Sequence, residues 1–285
     1  KLGVKYKIFQ GYVHASAPKG LIGSKIRFSK ISVGATENLI IAASFAKGTT
    51  ILNNCAIEPE IKDLVDFLVK LGCDITWTAK RSIKIVGVEE VNETTYSIMF
   101  DRIEAGTYLI AAAITESNLK IRNLSPSILK TEIDILRKIG ARVIVKKNEI
   151  QIFGNKNIKS MNIKTAPYPG FPTDLQAQLM VLLTQSEGIS KIKEDIFENR
   201  FMHVPELNRM GANIEIKNKI AFIKGPTSLA GAEVMATDLR ASVSLVLAAL
   251  IADNRTIINR IYHLDRGYEN LEKKLKFCKA NIKRV

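Results

Sequence analysis

The chain has 285 residues, 46% of them hydrophobic and 25% charged, which is the composition of a folded globular protein and too long for one small domain. A net charge of +14 favours anionic partners such as phosphorylated small molecules, nucleic acid or acidic lipid, although a lysine-rich coding bias explains such a surplus equally well. Disordered, collagen-like and disulfide-stapled classes are excluded. The longest apolar run, residues 243–252, falls well short of a bilayer span. The opening Lys-Leu-Gly-Val-Lys-Tyr does not read as a signal peptide, and three scattered cysteines (Cys55, Cys73, Cys278) fit a reducing cytosol. No run of five basic residues and no interleaving of aromatics with a basic patch marks a nucleic-acid platform.

Taken in chain order, the predicted elements repeat. Residues 1–6 read as a helix end, a closing glycine (Gly3) and the start of a strand. Ser32 opens a small-residue-rich helix, 49–52 is a strand, and a second helix runs to Gly72 with strands beyond it. Asp101 opens the next copy, with a strand at 119–122, a helix closing at Gly140, and two strands of period-two alternation, the second at 149–153. Thr173, the strand 190–193 and Gly211 mark another copy; Thr237, the strand 256–259 and Lys279 mark the last. The closing positions 3, 72, 140, 211 and 279 are 69, 68, 71 and 68 residues apart. Glycine there supplies the left-handed residue that ends a helix, and Lys279 in its place is expected to loosen the final turn. Ser, Asp or Thr at each helix opening is expected to cap it.

The unit is therefore β-α-β-α-β-β, and alternation of strands and helices implies parallel pairs. The fold class expected is α/β, of the α+β kind. Its first helices are apolar all round and buried, and three-fold packing of units around them gives an inside-out α/β barrel. Two domains are expected, residues 1–97 and residues 98–285. Because the chain opens at the very end of a unit, the first domain is expected to be incomplete and the second nearly complete.

Ligands in such folds lie against helix amino-termini, whose free N–H groups and partial positive charge suit anions. Lys30 with Ser32-Val33-Gly34 fits a phosphate cradle, and a plain helix cap fits the same residues. Asp174 follows Pro167-Tyr-Pro-Gly-Phe-Pro-Thr173, a stiff approach that fixes the carboxylate, with a capping role as the alternative. Arg200, Arg240 and Arg266 occupy loops or helix openings and are placed to grip a carboxylate and a phosphate, or to make surface ion pairs. Histidines and cysteines show no metal-ligand spacing, and no Walker loop or GxGxxG is present.

Several strings now resemble one family over the whole chain. They are Ser32-Val-Gly-Ala-Thr-Glu-Asn38, Glu58-Pro-Glu-Ile61, Asp101-Arg-Ile-Glu-Ala-Gly-Thr107, Pro167-Tyr-Pro-Gly-Phe-Pro-Thr-Asp174, Phe197-Glu-Asn-Arg-Phe201, Ala236-Thr-Asp-Leu-Arg-Ala-Ser242 and Arg260-Ile-Tyr-His-Leu-Asp-Arg-Gly-Tyr-Glu269. They look like the UDP-N-acetylglucosamine 1-carboxyvinyltransferases, enolpyruvyl transferases of peptidoglycan synthesis. The 5-enolpyruvylshikimate-3-phosphate (EPSP) synthases share the architecture but not these strings.

The resemblance implies an EPSP synthase-like two-domain architecture and addition of the 3-hydroxyl of UDP-N-acetylglucosamine to carbon 2 of phosphoenolpyruvate, followed by loss of phosphate. It implies Asp174 as the catalytic base. It implies Lys30, Ser32, Val33 and Gly34 at the UDP diphosphate, and Arg200, Arg240 and Arg266 around phosphoenolpyruvate. Glu58, Asp101, Ile196 and Phe197 are expected near the sugar or between the domains. No cofactor, metal, nucleic acid or membrane is implied, and a cytoplasmic monomer is expected. The family's amino-terminal Lys-Asn pair and the loop carrying its Cys or Asp acid would lie upstream of Lys1, so the expectation is a carboxy-terminal fragment inactive alone. The rival class is a basic nucleic-acid-binding protein or an RNA-cyclase-like repeat protein, for which fold alone is no guide.

Overall fold

The computed structural model describes all 285 residues. They divide into two compact units, Lys1–Met99 and Phe100–Val285.

The first unit opens with an antiparallel hairpin, β1 (Lys5–Phe9) and β2 (Tyr12–Ser16), followed by one complete copy of the repeat. That copy runs β3 (Lys25–Arg27), α1 (Val33–Ser44), β4 (Thr49–Asn53), α2 (Pro59–Lys70), β5 (Asp74–Ala79) and β6 (Ser82–Val86). The sheet order is β3-β4-β6-β5, with β3 parallel to β4 and the rest antiparallel. Ile40, Leu52, Ile61, Ile83 and Ile85 are fully buried where the helices meet the sheet, each worth roughly 1.5–3 kcal/mol of apolar burial.

In the second unit α3 (Arg102–Ile114), β7 (Asn118–Arg122), α4 (Lys130–Ile139), β8 (Arg142–Lys146) and β9 (Glu149–Phe153) form a copy with a three-stranded sheet, β7-β9-β8. The next copy is complete: β10 (Asn162–Lys164), α5 (Gln176–Leu183), β11 (Gly188–Lys193), α6 (Val204–Arg209), β12 (Asn213–Lys217) and β13 (Ile220–Gly225). Its order, β10-β11-β13-β12, reproduces that of the first unit strand for strand. The last copy has a parallel pair, β14 (Glu233–Met235) and β15 (Ile257–Asn259), with α7 (Val243–Ala249), α8 (Tyr262–Asp265) and α9 (Leu271–Phe277).

The small-residue helices form the centre of this unit. Every residue of α5 is buried, and so is all of α3 except Glu104 and Tyr108. α5 packs against both α3 and α7. A helix apolar on every side has no solvent face to offer, so helices lie inside and sheets outside. Close approach is helped by Gly106 in α3: a Cβ there would sit 2.5 Å from Cδ1 of the buried Leu175.

The helix closures form as the spacing predicts, with Gly72, Gly140, Gly211 and also Lys279 in left-handed backbone. The last turn keeps its closing bonds, Lys279 N–H to Lys276 O at 2.8 Å and Ala280 N–H to Leu275 O at 3.0 Å, so lysine has not loosened it. Residues 281–285 form no strand, since a strand needs a partner to hold it. α7 starts six residues later than Thr237. Asp238 Oδ1 accepts from the N–H groups of Arg240 and Ala241, and Ser242 Oγ accepts from those of Thr237 and Asp238. These side chains hold a turn where a helix was expected.

Candidate functional site

In the first unit the predicted residues gather at the start of α1. Ser32 is its N-cap, with Oγ accepting from the Ala35 N–H at 3.3 Å. Thr36 ties this opening to the end of β4: its hydroxyl donates to Ser32 O at 2.7 Å and accepts from the Ala56 N–H at 3.1 Å. Lys30, Ser32, Val33 and Gly34 are all exposed. A Cβ on Gly34 would meet nothing within 4 Å, so its smallness serves nothing inside the fold. Glu58 is buried at the start of α2, just before Pro59, and its Oε2 accepts from the Ile57 N–H at 2.9 Å. Burial, reinforced by the nearby charges of Glu60 and Glu58, raises the pKa of Glu37.

In the second unit two ion pairs lie at the openings of the central helices. Asp174 sits in a 3-10 turn, Thr173–Leu175, that leads into α5, and its Oδ1 accepts from Arg200 Nη2 at 2.7 Å. Asp101 is the N-cap of α3: Oδ1 accepts from the N–H groups of Ile103 (2.7 Å) and Glu104 (3.0 Å), while Oδ2 accepts from Arg240 Nη2 at 2.9 Å. A second nitrogen of Arg240 donates to Gly267 O at 2.8 Å. Burial alone would lower the pKa of Arg240, but Asp101, assisted by Tyr268 and Asp174, raises it above its ordinary value.

A buried polar hub joins the pairs. Thr107 donates to Ile103 O, so Tyr268 OH, 2.9 Å away, donates to Thr107. Gln178 Nε2 donates to Tyr268 OH at 3.2 Å and to the Asp174 carbonyl at 2.8 Å. The Tyr268 ring underlies the Arg240 guanidinium at 5.4 Å. Phe197 stacks likewise on Arg200 at 5.0 Å. The N–H groups of Ile196 and Phe197 donate to Oε1 of the buried Glu194. Beside this runs an open cleft of about 620 Å³ lined by Phe197, Asn199, Arg200, Ile216 and Lys219.

Asp101, Asp174, Ile196, Phe197, Arg200 and Arg240 are thus linked through hydrogen bonds, stacking and the hub. Arg266 caps α8, exposed beside Gly267 but outside both ion pairs. Glu194, Gln178, Thr107 and Tyr268 were not singled out from the sequence. Gln178 was findable, lying one helical turn from Asp174, and Thr107 and Tyr268 stand inside two quoted motifs. Glu194 carries no local signal.

Guanidinium groups beside the openings of α3 and α5, with a carboxylate on a stiff turn, suit a site for anionic substrates. Residues 1–275 match the EPSP synthase (3-phosphoshikimate 1-carboxyvinyltransferase) family, and the chain belongs to it. It is 67% identical over 285 residues, all of this chain and 68% of the relative, to the UDP-N-acetylglucosamine 1-carboxyvinyltransferase of Pelagibacter ubique. It is 50% identical to that of Rickettsia prowazekii, again over 68% of the relative. Among solved structures it resembles the enolpyruvyl transferase NikO from Streptomyces tendae, with a TM-score of 0.89 and 27% identity over 99% of this chain and 70% of that one. EPSP synthase from Acinetobacter baumannii shares the fold at a TM-score of 0.70 and 18% identity, over 97% of this chain and 68% of that one.

Proposed function

We propose that this chain serves UDP-N-acetylglucosamine 1-carboxyvinyl transfer, in which the enolpyruvyl group of phosphoenolpyruvate moves to the sugar's 3-hydroxyl and phosphate leaves. The product feeds peptidoglycan synthesis. The observation that carries this reading is the Asp174–Arg200 pair, a carboxylate and a guanidinium held 2.7 Å apart at a helix opening, in a chain 67% identical to an enzyme of that name.

Asp174 accepts the proton of the hydroxyl as its oxygen bonds to carbon 2, and carbon 3 takes up a proton from a general acid. Carbon 3 then loses a proton as the bond from carbon 2 to the phosphate oxygen breaks, which re-forms the double bond. Arg200 and Arg240, with Arg266 beside them, offset charge on the phosphate and carboxylate where that charge develops and departs. Lys30 and the N–H groups at Ser32-Val33-Gly34 hold the diphosphate, while Glu58, Asp101, Ile196 and Phe197 lie near the sugar or between the domains. Cys55 and Cys73 do not suit the carbon-3 acid: both are buried, and burial pushes the Cys55 thiol up to about 11. Two domains divided near residue 97, acting as a cytoplasmic monomer with no part for nucleic acid or membrane, complete the reading. No helix is long and apolar enough to cross a membrane.

The test grafts this chain in place of the matching residues of the Pelagibacter ubique relative and measures release of inorganic phosphate from phosphoenolpyruvate. Release should require UDP-N-acetylglucosamine and should fall about 10²–10⁴-fold on Asp174→Asn. Release driven by shikimate 3-phosphate instead, or an undiminished kcat in Asp174→Asn, would overturn the assignment.

A further inference from the structure

Glu194 interrupts the repeat at the copy that carries Asp174. The residue following the strand that leads out of each first helix is Asn54 after β4, Asn123 after β7 and Arg260 after β15, and all three adopt left-handed backbone. After β11 that place belongs to Glu194, which does not. Its side chain takes over the shaping of the turn.

Glu194 is 1% exposed and receives four hydrogen bonds. Oε1 accepts from Thr165 Oγ1 at 2.9 Å, Ile196 N–H at 2.8 Å and Phe197 N–H at 3.0 Å, and Oε2 accepts from Thr173 Oγ1 at 2.9 Å. One carboxylate therefore joins the end of β10, the turn just before Asp174, and the segment leading to Phe197 and Arg200. Asp174 and Arg200 pair across two of the segments that it clasps.

We propose that Glu194 is a positioning residue for the transfer. It fixes the Thr173–Asp174 turn against the Ile196–Arg200 segment, so that Asp174 meets the sugar hydroxyl in reacting geometry; this role rests on the function proposed above. Misplacing a reacting group by about an ångström costs on the order of 100-fold in rate.

The experiment has a structural arm and a kinetic arm. In a crystal structure of this chain carrying Glu194→Ala, the Arg200–Asp174 contact should open beyond hydrogen-bonding distance; an unchanged 2.7 Å pair overturns the proposal whether or not the chain turns over. In the grafted enzyme Glu194→Ala should lower kcat roughly 10–100-fold. Glu194→Gln should restore it to within about threefold, because the amide carbonyl keeps the Oε1 contacts and its NH₂ can donate to the Thr173 hydroxyl. Combined with Asp174→Asn, Glu194→Ala should add little further loss, since residues that act as a unit are not additive. A normal kcat in Glu194→Ala, or losses that multiply, would assign Glu194 a role in stability alone. Should Glu194→Ala fail to fold, Thr173→Val cuts only the Oε2 contact and enters both arms in its place, with the same outcomes deciding. A parent graft that releases no phosphate refutes the function instead and leaves the structural arm to decide the geometry.

Discussion

His203 is fully buried, and neither ring nitrogen has a hydrogen-bond partner. Burial is the main cause that lowers its pKa to about 4; Asp238 opposes the shift and Arg200 adds to it. The unfolded chain would take up the proton first, near 6.5. The stability held above that pH is therefore lost as pH falls from 6.5 towards 4, by roughly 3 kcal/mol in all. Urea unfolding at pH 7.5 and 4.5 checks this: His203→Leu should lose less stability on acidification than the parent, and equal losses would show that the imidazole does not contribute. At this scale the sequence disclosed residue types better than partnerships. The proline-rich approach marked Asp174 and the repeat marked Arg200, but their pairing depends on a buried carboxylate twenty residues away that no local pattern announces. Arg266, grouped with them by its place in the repeat, is exposed at the end of α8 and pairs with neither carboxylate.

Elements were legible where one local rule dominates. The helix closures followed from evenly spaced glycines, and the N-caps at Ser32 and Asp101 from short polar side chains ahead of apolar helices. The opening of α7 was not, because Asp238 and Ser242 satisfy the backbone donors of a turn as well as a helix would. The packing of α3 on the turn before α5 yields a prediction of its own. Gly106→Ala would put a Cβ 2.5 Å from Leu175 Cδ1, and Leu175, with no exposed surface, has nowhere to retreat. Overpacking of this kind costs about 1–3 kcal/mol. Thermal unfolding should show a lowered Tm for Gly106→Ala, and a partial return when Leu175→Val is added, since that substitution makes room.

For the molecule as a whole, a role of the positive surplus in capturing anionic substrates has a measurable consequence. Long-range attraction acts on encounter, not on chemistry, and at 1 M salt it extends only about 3 Å. In the grafted enzyme kcat/KM for phosphoenolpyruvate should fall severalfold between low and high NaCl while kcat stays within about twofold; a salt-independent kcat/KM would leave the charge without a role in capture. The repeated sheet order was legible from periodicity, but where the sheets stop was not, since strand formation depends on a neighbour and not on the segment alone. Gly72, Gly140 and Gly211 close their helices against passing atoms within 3 Å of where a Cβ would be, while Lys279 closes its helix at a smaller left-handed φ, +69°, on an exposed turn. The repeat thus holds a built-in control inside a single polypeptide: left-handed closures in four settings, glycine in three and lysine on an exposed turn in the fourth. The price of a side chain in left-handed backbone can be separated there from the price of crowding, without reference to any other protein.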